Sequence, residues 1–185
     1  MHIPMHIPMH IPMYIAWTPM IRDYDNADAE QVLALNAACV PDVGPMDQAT
    51  LDSFAEWARY FRVVELHGRV VALLVGLDQT APYGSPNFGW FVNHLERFAY
   101  VDRIAVDESQ RGQGWGPALY RDFETWAATV DLPQLCAEVN IVPPNPRSVR
   151  FHEIYGFSRL DEFEPTGSPD YRVVMLAKPV VADPI

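Results

Sequence analysis

The chain has 185 residues, a length that fits one domain able to bury a core of its own. Hydrophobic residues make up 49% and charged residues 20%, which excludes an intrinsically disordered chain. Thirteen basic and 24 acidic residues give a net charge of −11, which argues against a nucleic-acid-binding protein and slightly favours a cationic substrate.

Residues 1–14 are predicted to be a tail outside the fold. The unit Met-His-Ile-Pro is repeated three times there, and a proline at every fourth position excludes a helix. His2, His6 and His10 offer at most a loose metal site, and no metal is expected elsewhere. No secretory signal is visible, and the longest apolar run, 70–77, is too short to span a bilayer. We therefore expect a cytoplasmic protein without membrane contact.

A single domain is predicted over residues 15–180, followed by a short tail at 181–185. Apolar alternation, helix caps and breaks at Pro and Gly divide it into elements. In chain order these are strand 15–24, helices 27–38 and 47–59, strands 61–66 and 69–77, a long connection 78–97, strand 98–106, helix 114–129, strand 135–142, helix 145–155, and strands 157–160 and 171–178. The link His67-Gly68 suits a two-residue hairpin, so the class is α+β or mixed-sheet α/β.

The connection 78–97 is interrupted by prolines and glycines and is rich in aromatic residues. Connections of this length without secondary structure are usually functional. We expect it to contribute a substrate pocket, with Tyr83, Phe88, Trp90 and Phe91 as apolar walls and Asn87 or Asn93 as polar contacts. Packing against the first two helices or against a dimer partner is the alternative for these aromatic residues.

The segment 104–116 ends a strand, places three glycines at alternate positions and begins a helix. Glycines let backbone N–H groups approach an anion, and the helix N-terminus and Arg111 add positive charge. The pattern therefore predicts a pyrophosphate-binding turn, with a turn that binds no ligand as the alternative. The spacing of Gly112, Gly114 and Gly116 does not fit the dinucleotide fingerprint, and the Gly-Lys-Ser/Thr of an ATP-binding loop is absent.

Two motifs that follow one another along the chain resemble motifs of the GNAT superfamily of N-acyltransferases. Arg111-x-x-Gly114-x-Gly116 is similar to the acyl-CoA signature of that family, and segment 145–157 is similar to its Asn-x-x-Ala/Ser…Phe-Tyr…Gly-Phe helix. Segment 136–146 is similar to a bacterial branch of predicted acetyltransferases. The resemblance implies a GNAT-like, mostly antiparallel sheet of six or seven strands flanked by about four helices.

The resemblance also implies a co-substrate, acetyl-CoA, and a family that often forms homodimers. The end of the strand would bind the pantetheine arm like an added strand, and the turn would hold the pyrophosphate. The implied cofactor-binding residues are Ile104, Ala105, Val106, Arg111, Gly112, Gln113, Gly114, Trp115, Gly116, Asn145 and Ser148. For Asn145, a role as a helix cap is the alternative, and both roles can hold together.

Acyl transfer to an amine needs a base, and Asp102 is the first candidate. Strict alternation would place it on one strand face with Phe98, Tyr100, Ile104 and Val106. Burial on such an apolar face raises the pKa of a carboxyl group. The alternative is a structural ion pair with an arginine.

Glu138 is the second candidate base. It shares a strand face with Asn140, which could orient an acceptor amine or a water molecule. Asp102 and Glu138 would border the same cleft only if their two strands splay apart. Each residue could equally belong to a buried polar network.

His152 stands where GNAT enzymes often carry a tyrosine that is proposed to protonate the leaving thiolate. An imidazole could replace that phenol, with Tyr155 as a second candidate acid. A histidine without a functional role is the alternative.

Together these residues predict an N-acetyltransferase that moves an acetyl group from acetyl-CoA to a primary amine of a small molecule or peptide by direct attack. A non-catalytic acyl-CoA-binding module on the same fold is the alternative. Cys39 and Cys136 are expected to be buried free thiols and not acyl-accepting nucleophiles.

Overall fold

The computed structural model describes residues 20–181, which form a seven-stranded sheet and five α-helices. The strands are β1 (Met20–Asp23), β2 (Tyr60–Leu66), β3 (Arg69–Asp78), β4 (Ala99–Val106), β5 (Gln134–Val142), β6 (Ser158–Phe163) and β7 (Arg172–Pro179). The helices are α1 (Ala29–Ala38), α2 (Gln48–Trp57), α3 (Pro86–His94), α4 (Trp115–Thr129) and α5 (Pro146–Tyr155). The tail 1–14 and its three histidines lie outside the described residues, as do positions 15–19 of the first predicted strand.

The sheet has the strand order β1-β2-β3-β4-β5-β7-β6. Every neighbouring pair is antiparallel except β4 and β5, which are parallel. The predicted mixed, mostly antiparallel sheet is therefore confirmed. The hairpin between β2 and β3 turns at His67 and Gly68, whose φ angles of 54° and 75° suit the two-residue turn expected from the sequence.

The prediction that segment 78–97 is a connection without secondary structure is wrong, because the segment contains α3. Ser85 caps this helix by accepting the backbone N–H of Phe88, and Pro86 occupies the first turn, where its missing N–H is harmless. Gly89 lies inside the helix and made the segment resemble a loop in the sequence. The helix adds a fifth member to the four that were predicted.

The helices cover both faces of the sheet. Val32 of α1, Leu51 of α2 and Phe91 of α3 are buried in one apolar core, on the first face. Leu119 and Phe123 of α4 are buried in a second core on the opposite face, against which α5 also packs. The sheet is thus the central layer between two groups of helices.

A bulge at Asp102 divides β4. Val101 and Arg103 pair with consecutive residues of β3, so that Asp102 has no opposite partner. Tyr100 is buried in the first core, whereas Ile104 packs against the second. The predicted common face of the even-numbered residues is therefore wrong, because the extra residue shifts the alternation by one position.

The strands β4 and β5 pair only at their beginnings. Ala99 pairs with Leu135 and Tyr100 pairs with Cys136, and no further pairs follow in the described sheet. Beyond Tyr100 the two strands splay apart, as the shared cleft of Asp102 and Glu138 requires. This divergence opens the central cleft of the molecule.

Candidate active site

Two adjoining cavities, each of about 430 Å³, occupy the cleft. The turn cavity lies along the end of β4, the glycine-rich turn and the start of α5. The carboxylate cavity contains Asp102 and Glu138 in its wall. The walls common to both are formed by Asp42, Val43, Ile104, Asn145 and Ser148. A molecule bound in one cavity can therefore meet a molecule bound in the other.

The glycine-rich turn presents backbone groups to the turn cavity. Gly112 and Gly114 have φ angles of 78° and 88°, in the left-handed region that favours glycine. A Cβ atom at either position would meet nothing within 4 Å, so space beside the turn is open. Gly114 is the N-cap of α4, whose first N–H groups have no partner inside the helix. These donors and the positive end of the helix suit a bound anion.

Polar side chains around the turn cavity also suit an anionic ligand. Trp115 contributes to its wall and carries a buried indole N–H without a hydrogen-bond partner among the described residues. The guanidinium groups of Arg111 and Arg147 flank the cavity and both pair with Asp42. Apolar side chains, including Phe151, form the rest of the wall. A diphosphate joined to a slender, largely apolar arm therefore fits this cavity.

All the implied cofactor-binding residues line the turn cavity except Gln113, whose side chain is exposed. Asn145 caps α5, because its Oδ1 accepts the N–H of Ser148 at 3.1 Å, and it also reaches the cavity. Asp42 and Val43 were not predicted as site residues, because they follow α1 and reach this cavity only through the tertiary fold.

Glu138 is a carboxyl group of the carboxylate cavity with a perturbed pKa. Its Oε1 accepts hydrogen bonds from the Tyr100 hydroxyl and from Nδ2 of Asn87, both at 3.0 Å. Its Oε2 is buried and has no partner among the described residues. Burial, followed by the negative charge of Asp102, raises the pKa of Glu138 to about 7. The group can therefore take up and release a proton near neutral pH.

Asp102 forms a buried ion pair, at 2.7 Å, with Nε of the adjacent Arg103. Their side chains are only 4% and 6% exposed. Arg103 also donates to Oδ1 of Asn36 and to the carbonyl of Gly44, which ties the segment after α1 to β4. This geometry matches the structural alternative for Asp102, whose charge nevertheless acts on Glu138.

Both ring nitrogens of His152 are occupied. Nδ1 lies 2.8 Å from the carbonyl oxygen of Ser148, which can only accept, so Nδ1 carries the proton. Burial lowers the pKa of His152, and the neutral ring uses Nε2 to accept the Tyr120 hydroxyl proton at 2.6 Å. Neutral His152 consequently has no free N–H to give to a thiolate.

The other predicted site residues divide into two groups. Tyr83 and Asn140 line the carboxylate cavity. Trp90 lines neither cavity and stacks on His94 with ring centroids 4.0 Å apart. Tyr155 also lines neither cavity, and its hydroxyl donates to Glu124 of α4 at 3.0 Å.

Neither Tyr100 nor Tyr120 was predicted as a site residue, whereas Asn87 was a predicted polar contact of the substrate pocket. Asn87 lies in the first turn of α3, the helix that the sequence concealed. Tyr100 was assigned only to a strand face, and Tyr120 reaches His152 from a helix 32 residues away. Only the tertiary fold brings Tyr120 to the cavity and the buried Tyr100 to Glu138.

Cys39 and Cys136 are buried free thiols, as predicted. Burial raises the pKa of the Cys136 thiol, which disfavours the nucleophilic thiolate. Within residues 20–181, no cluster of three or more His, Cys, Asp or Glu side chains is arranged to hold a metal ion. In the same part of the chain, none of the helices has the length and apolar character needed to cross a membrane.

A sequence profile of the acetyltransferase (GNAT) family matches residues 29–157. This range includes β4, α4, β5 and α5, which line the two cavities. Among solved structures, Ard1 from Thermoplasma volcanium superposes with a TM-score of 0.70 and 24% identity, over 89% of this chain and 99% of that one. No curated protein sequence matches the chain.

Two further structures share the fold. The ribosomal-protein-S18-alanine N-acetyltransferase from Escherichia coli has a TM-score of 0.66 at 16% identity, over 90% of this chain and 97% of that chain. Chaetomium thermophilum Naa20, solved with a bisubstrate analogue, has a TM-score of 0.68 at 20% identity, over 87% of this chain and 86% of that chain. At these identities the likeness concerns the fold.

Proposed function

Because this chain belongs to the GNAT acetyltransferase family, we propose that it transfers the acetyl group of acetyl-CoA to a primary amine of a small molecule or peptide, by direct attack of the amine on the thioester. The observation that carries this proposal is Glu138, a buried carboxyl group with a pKa of about 7 beside the cavity of the glycine-rich turn. The ribosomal-protein-S18-alanine N-acetyltransferase of the same fold supports an amine of a polypeptide as one class of acceptor.

In this proposal the turn cavity binds the coenzyme, which supplies the thioester. Backbone N–H groups from Gly112 to Gly116 and the guanidinium of Arg111 hold its diphosphate. The free edge of β4 at Ile104 and Val106 binds the pantetheine arm by backbone hydrogen bonds, since β5 has splayed away. The thioester then lies where the two cavities meet.

Glu138 acts as the base in the carboxylate cavity. An ammonium group has no lone pair and cannot attack, so the acceptor first gives one proton to solvent and binds as the neutral amine; its nitrogen then loses a second proton as the N–C bond forms. With a pKa of about 7, Glu138 is largely ionised just above neutral pH and yet basic enough to accept that proton on Oε2. Tyr100 and Asn87 hold Oε1 and so fix the direction of Oε2.

The same residue can protonate the leaving group. As the N–C bond forms, the C–S bond breaks and its electron pair goes to sulfur. A thiol has a pKa of roughly 8.5, so transfer of the proton from Glu138 to the thiolate is favourable. Glu138 therefore takes over the acid role that the sequence assigned to His152, whose ring nitrogens are both occupied.

The test mixes the purified protein with acetyl-CoA and a library of amino acids, polyamines, aminoglycosides and peptides, and follows the release of free thiol. Saturable release with at least one amine is expected, together with calorimetric binding of coenzyme A. Binding of the coenzyme without turnover of any amine would instead identify the non-catalytic acyl-CoA-binding module. Failure to bind coenzyme A would overturn both functions.

A further inference from the structure

Two buried oxygen atoms without hydrogen-bond partners among the described residues belong to two neighbouring side chains that line the carboxylate cavity. They are Oδ1 of Asn87 and Oε2 of Glu138, both buried and unpaired among the described residues. The two side chains are joined through their other atoms, since Nδ2 of Asn87 donates to Oε1 of Glu138 at 3.0 Å. Asn87 is only 7% exposed.

The orientation of both groups follows from their hydrogen bonds. A carboxylate accepts, so the amide of Asn87 must turn its nitrogen toward Glu138 and its oxygen away. Oε1 already accepts from two donors, Asn87 and Tyr100. The remaining two oxygens are therefore acceptors that lack a donor, an arrangement that is costly in a buried site unless a ligand supplies one.

We propose that Oδ1 of Asn87 and Oε2 of Glu138 together receive the two N–H bonds of a primary amine, which makes Asn87 a specificity-determining residue for –NH₂ acceptors. The inference rests on the proposed acetyl transfer and names the class of acceptor for it. A neutral primary amine has two N–H donors and one lone pair. With both donors held by these oxygens, the lone pair is left for the thioester carbon.

Other nucleophiles satisfy this pair of acceptors less well. A secondary amine has one N–H and an alcohol has one O–H, so either of them leaves one buried oxygen unpaired. In an N-methyl amine the methyl group would also lie against that unpaired oxygen. A site built around a specific hydrogen bond rejects analogues that lack the donor. Secondary amines and alcohols are consequently excluded as efficient acceptors.

The proton and electron balance agrees with this arrangement. The nitrogen forms the N–C bond, the C–S bond breaks and its pair goes to sulfur. The N–H directed at Glu138 gives up its proton to Oε2, from which it passes to the thiolate. The N–H directed at Asn87 stays on nitrogen and becomes the N–H of the amide product.

The test compares a panel of primary amines, each with its N-methyl derivative, by kcat/KM in the thiol-release assay. We expect the protein to prefer the primary amine by at least about tenfold, the cost of one unpaired buried acceptor. Asn87→Leu should lower the rate with primary amines and bring the ratio close to one, with Asn87→Ala as a second variant should leucine prevent folding. Tyr100→Phe is the matched control, because it removes the other donor to Oε1 but leaves Oδ1 of Asn87 in place, so the ratio should persist.

Calorimetric titration of the same amine pairs into the protein saturated with coenzyme A gives a readout that does not depend on turnover. The same preference is expected in the dissociation constants. Preferential binding without turnover would refute the proposed acetyl transfer but support the acceptor pair. Equal rates or equal binding for both members of each pair, or a preference that survives in Asn87→Leu, would overturn the inference.

Discussion

The two cavities of the cleft are built in different ways. Most of the turn cavity comes from one continuous run of chain, from the end of β4 through the glycine-rich turn into α4, and offers backbone groups held by left-handed glycines. The carboxylate cavity is assembled from residues of β4, β5, α3, α4 and α5 and from the segment 40–45 between α1 and α2. Ligand binding in the turn cavity therefore depends on backbone conformation. The chemistry of the carboxylate cavity depends on the position of individual protons and oxygen atoms. Substitutions in the two cavities should separate coenzyme affinity from turnover.

The strongest test of this separation is Glu138→Gln. The substitution keeps the size of the side chain but removes its basicity, so we expect kcat to fall by roughly 10²- to 10⁴-fold. Binding of coenzyme A should be unchanged, because Glu138 lines only the carboxylate cavity. Steady-state kinetics and calorimetry measure the two quantities. A large loss of coenzyme affinity in this variant would contradict the division between the cavities.

The reverse separation is expected for Gly114→Val. Valine is strained at a φ of 88°, and a left-handed non-glycine residue costs about 1–3 kcal/mol. If the turn abandons this conformation to relieve the strain, coenzyme affinity should fall by about ten- to a hundredfold. Gly84→Val is the control, since Gly84 lies outside the left-handed region and a Cβ there meets nothing within 4 Å. Equal coenzyme affinities for the two variants in calorimetry would show that the turn does not hold the ligand.

A smaller effect should follow from Tyr100→Phe. Glu138 must be ionised to act as a base, so kcat/KM should rise with pH and level off above about 7. The hydroxyl of Tyr100 lowers the pKa of Glu138 by donating to it. Its loss should therefore move the rising limb to higher pH, with several-fold slower turnover at pH 6.5 and little change at pH 9. A limb that stays in place, or that persists in Glu138→Gln, would assign the titration to another group.

The smallest expected effect concerns Asp42, which pairs with Arg111 and Arg147 at the turn cavity. An anionic ligand must compete with this carboxylate for the two guanidinium groups. Asp42→Asn should therefore strengthen coenzyme binding by about two- to fivefold at low salt, the range of exposed ion pairs, and less at high salt. Asp131→Asn, which breaks the exposed pair with Arg97, should leave the affinity unchanged. Weaker binding by Asp42→Asn would mean that Asp42 supports the site.

Local signals in the sequence were sufficient for the glycine-rich turn and for most of the sheet. Short-range sequence patterns determine the alternating strands, the His67-Gly68 hairpin and the glycine-rich turn, because the conformation of each depends on neighbouring residues. The helix α3 was not predicted because Gly89 is unfavourable inside a helix and suggested a loop. Ser85 and Pro86 are nevertheless residues that favour the start of a helix.

The carboxylate cavity could not be predicted in the same way. The bulge at Asp102 depends on how β4 pairs with β3, and one extra residue reverses which face each later side chain joins. The hydrogen bond between Tyr120 and His152 joins two helices, and its effect on the imidazole has no local signature. Proton chemistry at this site is a property of the tertiary fold.

The short β4–β5 pairing has a consequence for how the protein resists unfolding. Only two residue pairs join β1–β4 to β5–β7, so this seam is the least hydrogen-bonded line in the described sheet. A ligand in the turn cavity contacts β4 on one side of the seam and the start of α5, which follows β5, on the other. A ligand that binds only the native state raises the free energy of unfolding with the logarithm of its concentration once that exceeds the dissociation constant. The survival of this chain against proteolysis is thereby linked to the supply of coenzyme.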